Sequence, residues 1–311
     1  MTELQQYLAE EVAEDHADGI ITRREAIRRL GLLGVGAATA SSMLAAEAAA
    51  HGGGHGHGHG HGGGGHGHGH PEATTSTWAP VPRESITFAG PRGPLLAAWA
   101  PATQPRGGVL VIHENRGLTA HIRDVAGRFA ASGYSALALD LLSEEGGTGA
   151  FPGEAEVAAA LAQIPPERFD ADMKAALTEL DKRVPRKSTL GAIGFCFGGG
   201  MIWRLLAAKE PRLSAATPFY GPFPAGANLN GSRADVLGVY GGLDARVNAS
   251  MPAAKAALDA ARLDYELLTF SEADHAFFND TGARFQVQAA EEAWRRVIGW
   301  FDDAGHHKHR Q

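Results

Sequence analysis

Gly194-Phe195-Cys196-Phe197-Gly198-Gly199 follows the apolar run Leu190-Gly191-Ala192-Ile193 and precedes Met201-Ile202-Trp203-Arg204-Leu205-Leu206. The apolar run reads as a buried strand and the later segment as a helix, so the six residues form a strand–turn–helix corner. Glycines two positions before and two after Cys196 allow a turn sharp enough to present that one side chain. Cys196 is the only cysteine in the chain, so it has no internal disulfide partner.

Two further strand-to-loop junctions lie downstream. Val236-Leu237-Gly238-Val239-Tyr240-Gly241-Gly242-Leu243-Asp244 reads as a strand whose glycine-rich end presents an acid. Tyr265-Glu266-Leu267-Leu268-Thr269-Phe270 reads as another, followed by Ala273-Asp274-His275-Ala276-Phe277. The order nucleophile, acid, histidine, with each residue just past a strand, resembles the triad of the α/β-hydrolases, with a thiol where serine is commoner. Around it, strand patterns at 85–88, 95–99, 108–112, 134–139, 189–193, 215–220, 236–241 and 265–270 alternate with helical ones at 122–132, 171–183, 253–262 and 287–301. Such alternation predicts an α/β fold with a mainly parallel central sheet flanked by helices.

The residues suit acyl transfer. A thiolate is the attacking form of cysteine, and the helix start after Cys196 favours the anion. His275 is placed to take the thiol proton and Asp244 to orient the imidazole. The oxyanion donors are expected to be the N–H of Phe197 and, from the loop His113-Glu114-Asn115-Arg116-Gly117-Leu118, the N–H of Asn115. Glu114, a carboxylate at the end of a buried strand, could orient His113 or Arg116, accept the Cys196 proton, or simply be satisfied by a local arginine. Tyr220 and Phe277 are candidates to line the substrate pocket, and each also reads as core. Plainer readings exist for Asp244 as a turn residue and for His275 as a helix cap or a core histidine.

Together, the H-E-N-R-G-L loop with Glu114, the G-F-C-F-G-G corner with Cys196, the G-G-L-D loop with Asp244 and the A-D-H-A-F loop with His275 resemble the dienelactone hydrolases (carboxymethylenebutenolidases) over residues 78–301. The resemblance implies one α/β-hydrolase domain without a large lid. It implies a Cys196–His275–Asp244 triad, Glu114 tuning the thiol, and hydrolysis of an enol-lactone or related ester with no cofactor required. Similar enzymes hold a substrate carboxylate with arginines, one of them four residues after the histidine, where this chain has Asn279. Asn279, Arg116 and Arg168 are therefore candidates for substrate contact.

The N-terminus reads differently. Thr22-Arg23-Arg24-Glu25-Ala26-Ile27-Arg28-Arg29 precedes an uncharged, Gly/Ala-rich stretch at 30–46. Twin arginines before a mildly apolar run resemble a Tat export signal, which places the protein in the periplasm or outside the cell with the Tat machinery as a partner. The stretch is too short and weak for a stable membrane anchor. Residues 51–70 are only Gly and His, with eight histidines at His51, His55, His57, His59, His61, His66, His68 and His70. This composition builds no core, and its imidazoles suit incidental binding of Zn²⁺, Ni²⁺ or Cu²⁺. The expected organisation is a signal region at 1–48, a disordered linker at 49–75, the hydrolase domain at 76–305 and a frayed tail at 306–311. A net charge of −7 without a basic stripe argues against nucleic acid as a partner. Two competing readings remain: a generalist carboxylesterase on the same fold, and an exported metal-binding protein with a vestigial hydrolase domain.

Overall fold

The computed structural model describes residues 1–52 and 83–308. The chain divides into two compact units, Met1–Thr77 and Trp78–Gln311.

The first unit contains three mutually packed helices, α1 (Glu3–Ala17), α2 (Arg23–Leu32) and α3 (Ala37–Gly52). Thr2 caps α1 in a reciprocal box with Gln5, and Thr22 caps α2 by accepting from the Glu25 N–H. Within α2, Glu25 bonds both Arg28 and Arg29, which hold its carboxyl down at about 2. Among the described residues no helix is long and apolar enough to cross a membrane.

In the second unit, eight strands form one sheet: β1 (Glu84–Ala89), β2 (Pro94–Ala100), β3 (Gly107–Ile112), β4 (Tyr134–Leu139), β5 (Thr189–Phe195), β6 (Leu213–Phe219), β7 (Asp235–Gly241) and β8 (Tyr265–Phe270). Their order across the sheet is β1-β2-β4-β3-β5-β6-β7-β8. β2 runs antiparallel to β1 and β4, and every other pairing is parallel. The helices are α4 (Ala120–Ala131), α5 (Glu154–Leu161), α6 (Pro166–Arg183), α7 (Phe197–Ala207), α8 (Ala245–Asn248), α9 (Met251–Ala261) and α10 (Val287–Lys308). All residues of β3, β4 and β5 are buried, as expected of strands covered on both faces. Gly191 in β5 is required by packing: a Cβ there would stand 1.8 Å from the Phe301 ring of α10.

β4 and β8 begin and end where the alternation predicts. α6 starts five residues before the expected 171, because Pro166 fits the first helical turn, where its missing N–H costs nothing. α5 was not expected, since its Ala-rich stretch offers no amphipathic period. α10 continues past the expected end at 301 to Lys308.

Candidate active site

The parallel strands deliver their C-terminal ends, and the loops after them, to one edge of the sheet. β5 ends in the corner. Cys196 adopts φ 55°, ψ −119° at the N-cap of α7, a conformation that costs a non-glycine residue energy. The surrounding packing admits no alternative. A Cβ on Gly194 would lie 2.2 Å from the Gly198 carbonyl oxygen, and one on Gly198 would lie 2.5 Å from the oxygens of Ile112 and His113. The Cys196 N–H donates to Phe219 O at 3.0 Å, tying the corner to β6. Phe197 opens α7, where first-turn N–H groups have no partner inside the helix.

Asp244 follows β7 and caps α8. Its Oδ1 accepts from the Val247 N–H at 3.0 Å, and its Oδ2 accepts from His275 Nδ1 at 2.6 Å. Burial works to raise the Asp244 pKa, but His275, Arg246 and the Val247 N–H outweigh it and hold the carboxyl below its usual range. His275 follows β8 on a tight turn in which Ala276 has φ 59°. Burial opposes charge on the imidazole, yet Asp244 and the Cys196 sulfur carry its pKa well above the ordinary value. Cys196 Sγ and a ring nitrogen of His275 lie within 4.8 Å. His275 Nε2 has no hydrogen-bond partner of ordinary geometry among the described residues. Cys196, His275 and Asp244 thus come together from three separate loops.

Glu114, past the end of β3, is 3 % exposed. No arginine satisfies it: the Asn279 amide donates to its Oε2 at 2.7 Å, and Oε1 has no partner among the described residues. Nor does the Glu114 carboxylate bond His113 or Arg116. His113 Nε2 accepts from the Leu141 N–H at 3.1 Å, which places the ring proton on Nδ1, 2.6 Å from the Glu114 main-chain oxygen. Burial lowers the His113 pKa and keeps the ring neutral. Arg116 faces Glu154 at 3.5 Å, and Arg168 is bound by Glu145 at 2.5 Å. Asn279 is committed as well, its Oδ1 accepting from Thr281 N–H and Oγ1 at 3.0 and 2.7 Å. Asn115 lies in the loop between β3 and α4, one residue past Glu114.

Tyr220 is fully buried with φ 33°, its ring edge-on to His275 at 5.3 Å. Its hydroxyl has no partner among the described residues, and burial raises its pKa well above the usual value. Phe277 packs on Tyr220 at 5.7 Å and on Phe270 at 5.2 Å, while Phe278 stacks on Phe195 in the core.

Sequence reasoning missed a second buried cluster. His121 Nδ1 meets Asp280 Oδ1 at 2.8 Å, and Arg128 binds Asp280 Oδ2. The partners stand 152 or more positions apart, which leaves no local signal. Of the histidine tract, His51 falls in the last turn of α3, while His55, His57, His59, His61, His66, His68 and His70 lie outside the described residues.

A mainly parallel eight-stranded sheet in this order, with a sharp corner after β5, is the fold of an α/β-hydrolase. The chain belongs to the dienelactone hydrolase family, whose sequence model matches residues 96–305. It is accordingly a hydrolase of ester or lactone bonds. A protein of Escherichia coli O157:H7 named "Putative carboxymethylenebutenolidase" is 32 % identical over 209 residues, covering 63 % of this chain and 77 % of that protein. The crystal structure titled "Putative Dienelactone Hydrolase" from Klebsiella pneumoniae superposes with a TM-score of 0.63 at 28 % identity, covering 72 % of this chain and 99 % of that one. An esterase from Pyrobaculum calidifontis, at 14 % identity, shares the fold with a TM-score of 0.55 over 72 % of this chain and 86 % of its own.

Proposed function

We propose that the chain hydrolyses enol-lactones or related carboxylic esters through a covalent intermediate on Cys196. The observation that carries this reading is the 2.6 Å bond from His275 Nδ1 to Asp244, on an imidazole that has a ring nitrogen within 4.8 Å of the Cys196 sulfur. Sγ attacks the acyl carbon as a thiolate while the thiol proton rests on His275. The oxyanion is received by the N–H groups of Phe197 and Asn115, each such donor worth about 3 kcal/mol in comparable sites. His275 gives its proton to the leaving oxygen, then takes one from the water that cleaves the thioester. Asp244 stabilises the imidazolium at both stages. None of these steps requires a cofactor.

Cys196→Ala removes the nucleophile and is expected to lower kcat/KM on aryl esters and enol-lactones by about 10⁴-fold or more. Cys196→Ala with full activity on every ester tried would overturn the reading. Export through the twin-arginine route is part of the same proposal, supported by the arginine pairs at 23–24 and 28–29 before the uncharged stretch.

A further inference from the structure

We propose that this site takes uncharged esters and lactones and turns away substrates carrying a carboxylate near the scissile bond, because Glu114 stands at the nucleophile's loop held only by the neutral amide of Asn279. The inference rests on the hydrolytic reading above and names its substrate class.

Glu114 is placed against the corner by the chain itself. The Gly198 backbone packs directly on the carbonyls of Ile112 and His113, one residue before Glu114. Its carboxylate forms no ion pair among the described residues, and its buried Oε1 accepts no hydrogen bond from them. The Tyr220 ring stands edge-on to His275 at 5.3 Å, and after burial the Glu114 carboxylate is the first of the charges that push its hydroxyl pKa up.

Several arginines on the site's loops and flanking helices face acids. Arg116 faces Glu154 at 3.5 Å, Arg284 faces Asp274 at 3.4 Å, and Arg128 binds Asp280. Arg168 is held by Glu145, and Arg246 acts on Asp244. A substrate carboxylate entering here would lose its water beside Glu114 and find the guanidinium groups of Arg116, Arg284, Arg128 and Arg168 already paired with acids. Burying an uncompensated charge is among the costliest steps a protein can impose. An uncharged acyl group meets no such barrier.

Two measurements on the full chain test this. The first compares 4-nitrophenyl methyl adipate with 4-nitrophenyl hydrogen adipate, which differ in methyl ester against carboxylate and whose chain is too long for the carboxylate to attack its own ester readily, each rate being taken over the uncatalysed one. The neutral ester is expected to have a kcat/KM about 30-fold or more higher, with the gap narrowing in Glu114→Gln and in Asn279→Arg. The second needs no turnover: alkylation of Cys196, the only thiol, by iodoacetamide and by iodoacetate, followed by mass spectrometry. The amide reagent is expected to be favoured about tenfold over the ratio shown by free cysteine, and less so in Glu114→Gln. An anionic ester turned over within threefold of the neutral one overturns the proposal, as does an alkylation ratio equal to that of free cysteine. Failure of the hydrolytic reading looks different: turnover survives Cys196→Ala, while the alkylation ratio still reports the charge preference. A thiol reached by neither reagent, with no ester turned over, overturns both.

Discussion

Cys196 is held at positive φ by closely packed backbone, so the position of its thiol is set before any side chain acts. Gly198→Ala places a methyl group 2.5 Å from two main-chain oxygens, which no rotamer change relieves. The variant is expected to lose about 1–3 kcal/mol of stability and most of its activity, measured by urea unfolding and ester turnover. Asp244 makes a second residue-level prediction. Asp244→Asn keeps the size of the side chain but removes the charge that opposes burial at His275. The imidazole pKa then falls and the thiol loses its proton acceptor, so kcat/KM is expected to drop by about 10⁴-fold. Stability moves with it in a defined direction. The folded pKa of His275 lies above its unfolded value of about 6.5, so its contribution is full below that pH and is lost as pH rises through the folded value. In Asp244→Asn that pH-dependent contribution should disappear from thermal unfolding curves.

The loops that carry these residues are fixed by contacts between elements. Past β3, Leu118 N–H donates to Thr148 Oγ1 at 2.8 Å, and Asp140 binds Thr148 through both backbone and hydroxyl. Past β8, Asp280 is anchored to α4 by His121 and Arg128. Asp280→Ala strands the buried guanidinium and is expected to cost about 3–5 kcal/mol, whereas Arg128→Met combined with Asp280→Leu should recover most of it in denaturant unfolding. α6 carries Asp172, 1 % exposed and shared between Arg92 and Arg168. Burial pushes its pKa up to about 6. The folded state therefore binds this proton more tightly than the unfolded chain, and stability falls as pH rises from about 4 to 6. Asp172→Asn should raise the melting temperature at pH 7.5 and lose that advantage near pH 4. Legibility follows the same division between local and long-range order. β4 and β8 announce themselves by local alternation, and Cys196, Asp244 and His275 by standing where a strand stops. The Glu114–Asn279 bond and the Asp280 cluster join residues 152 to 165 positions apart, and no local period encodes them. α5 was hidden because a run of alanines has no face to read.

At the scale of the whole molecule, the family's span of 96–305 lies within the second unit, and the arginine pairs and the histidine tract before it each call for a test of their own. Arg23, Arg24, Arg28 and Arg29 precede the uncharged stretch, and replacing all four by Lys keeps the charge while removing the guanidinium groups. If they form an export signal, the protein should be retained in the cytoplasm, as read by cell fractionation. The histidine tract calls for a separate argument. Eight imidazoles spaced by glycine hold no charge at neutral pH and offer lone pairs to a soft or borderline cation. Each loses its lone pair on protonation near pH 6.5, so metal uptake should be present at pH 7.5 and largely gone by pH 5.5. Serine at all eight positions preserves length and polarity without the ligand, and calorimetric titration with Zn²⁺ or Ni²⁺ should then show no binding from the tract. Ester turnover by that variant decides how the two chemistries relate. The proposed steps at Cys196 pass through no metal, so kcat/KM should match the parent chain with or without chelator. A fall in turnover that added Zn²⁺ restores would instead make the tract part of the enzyme.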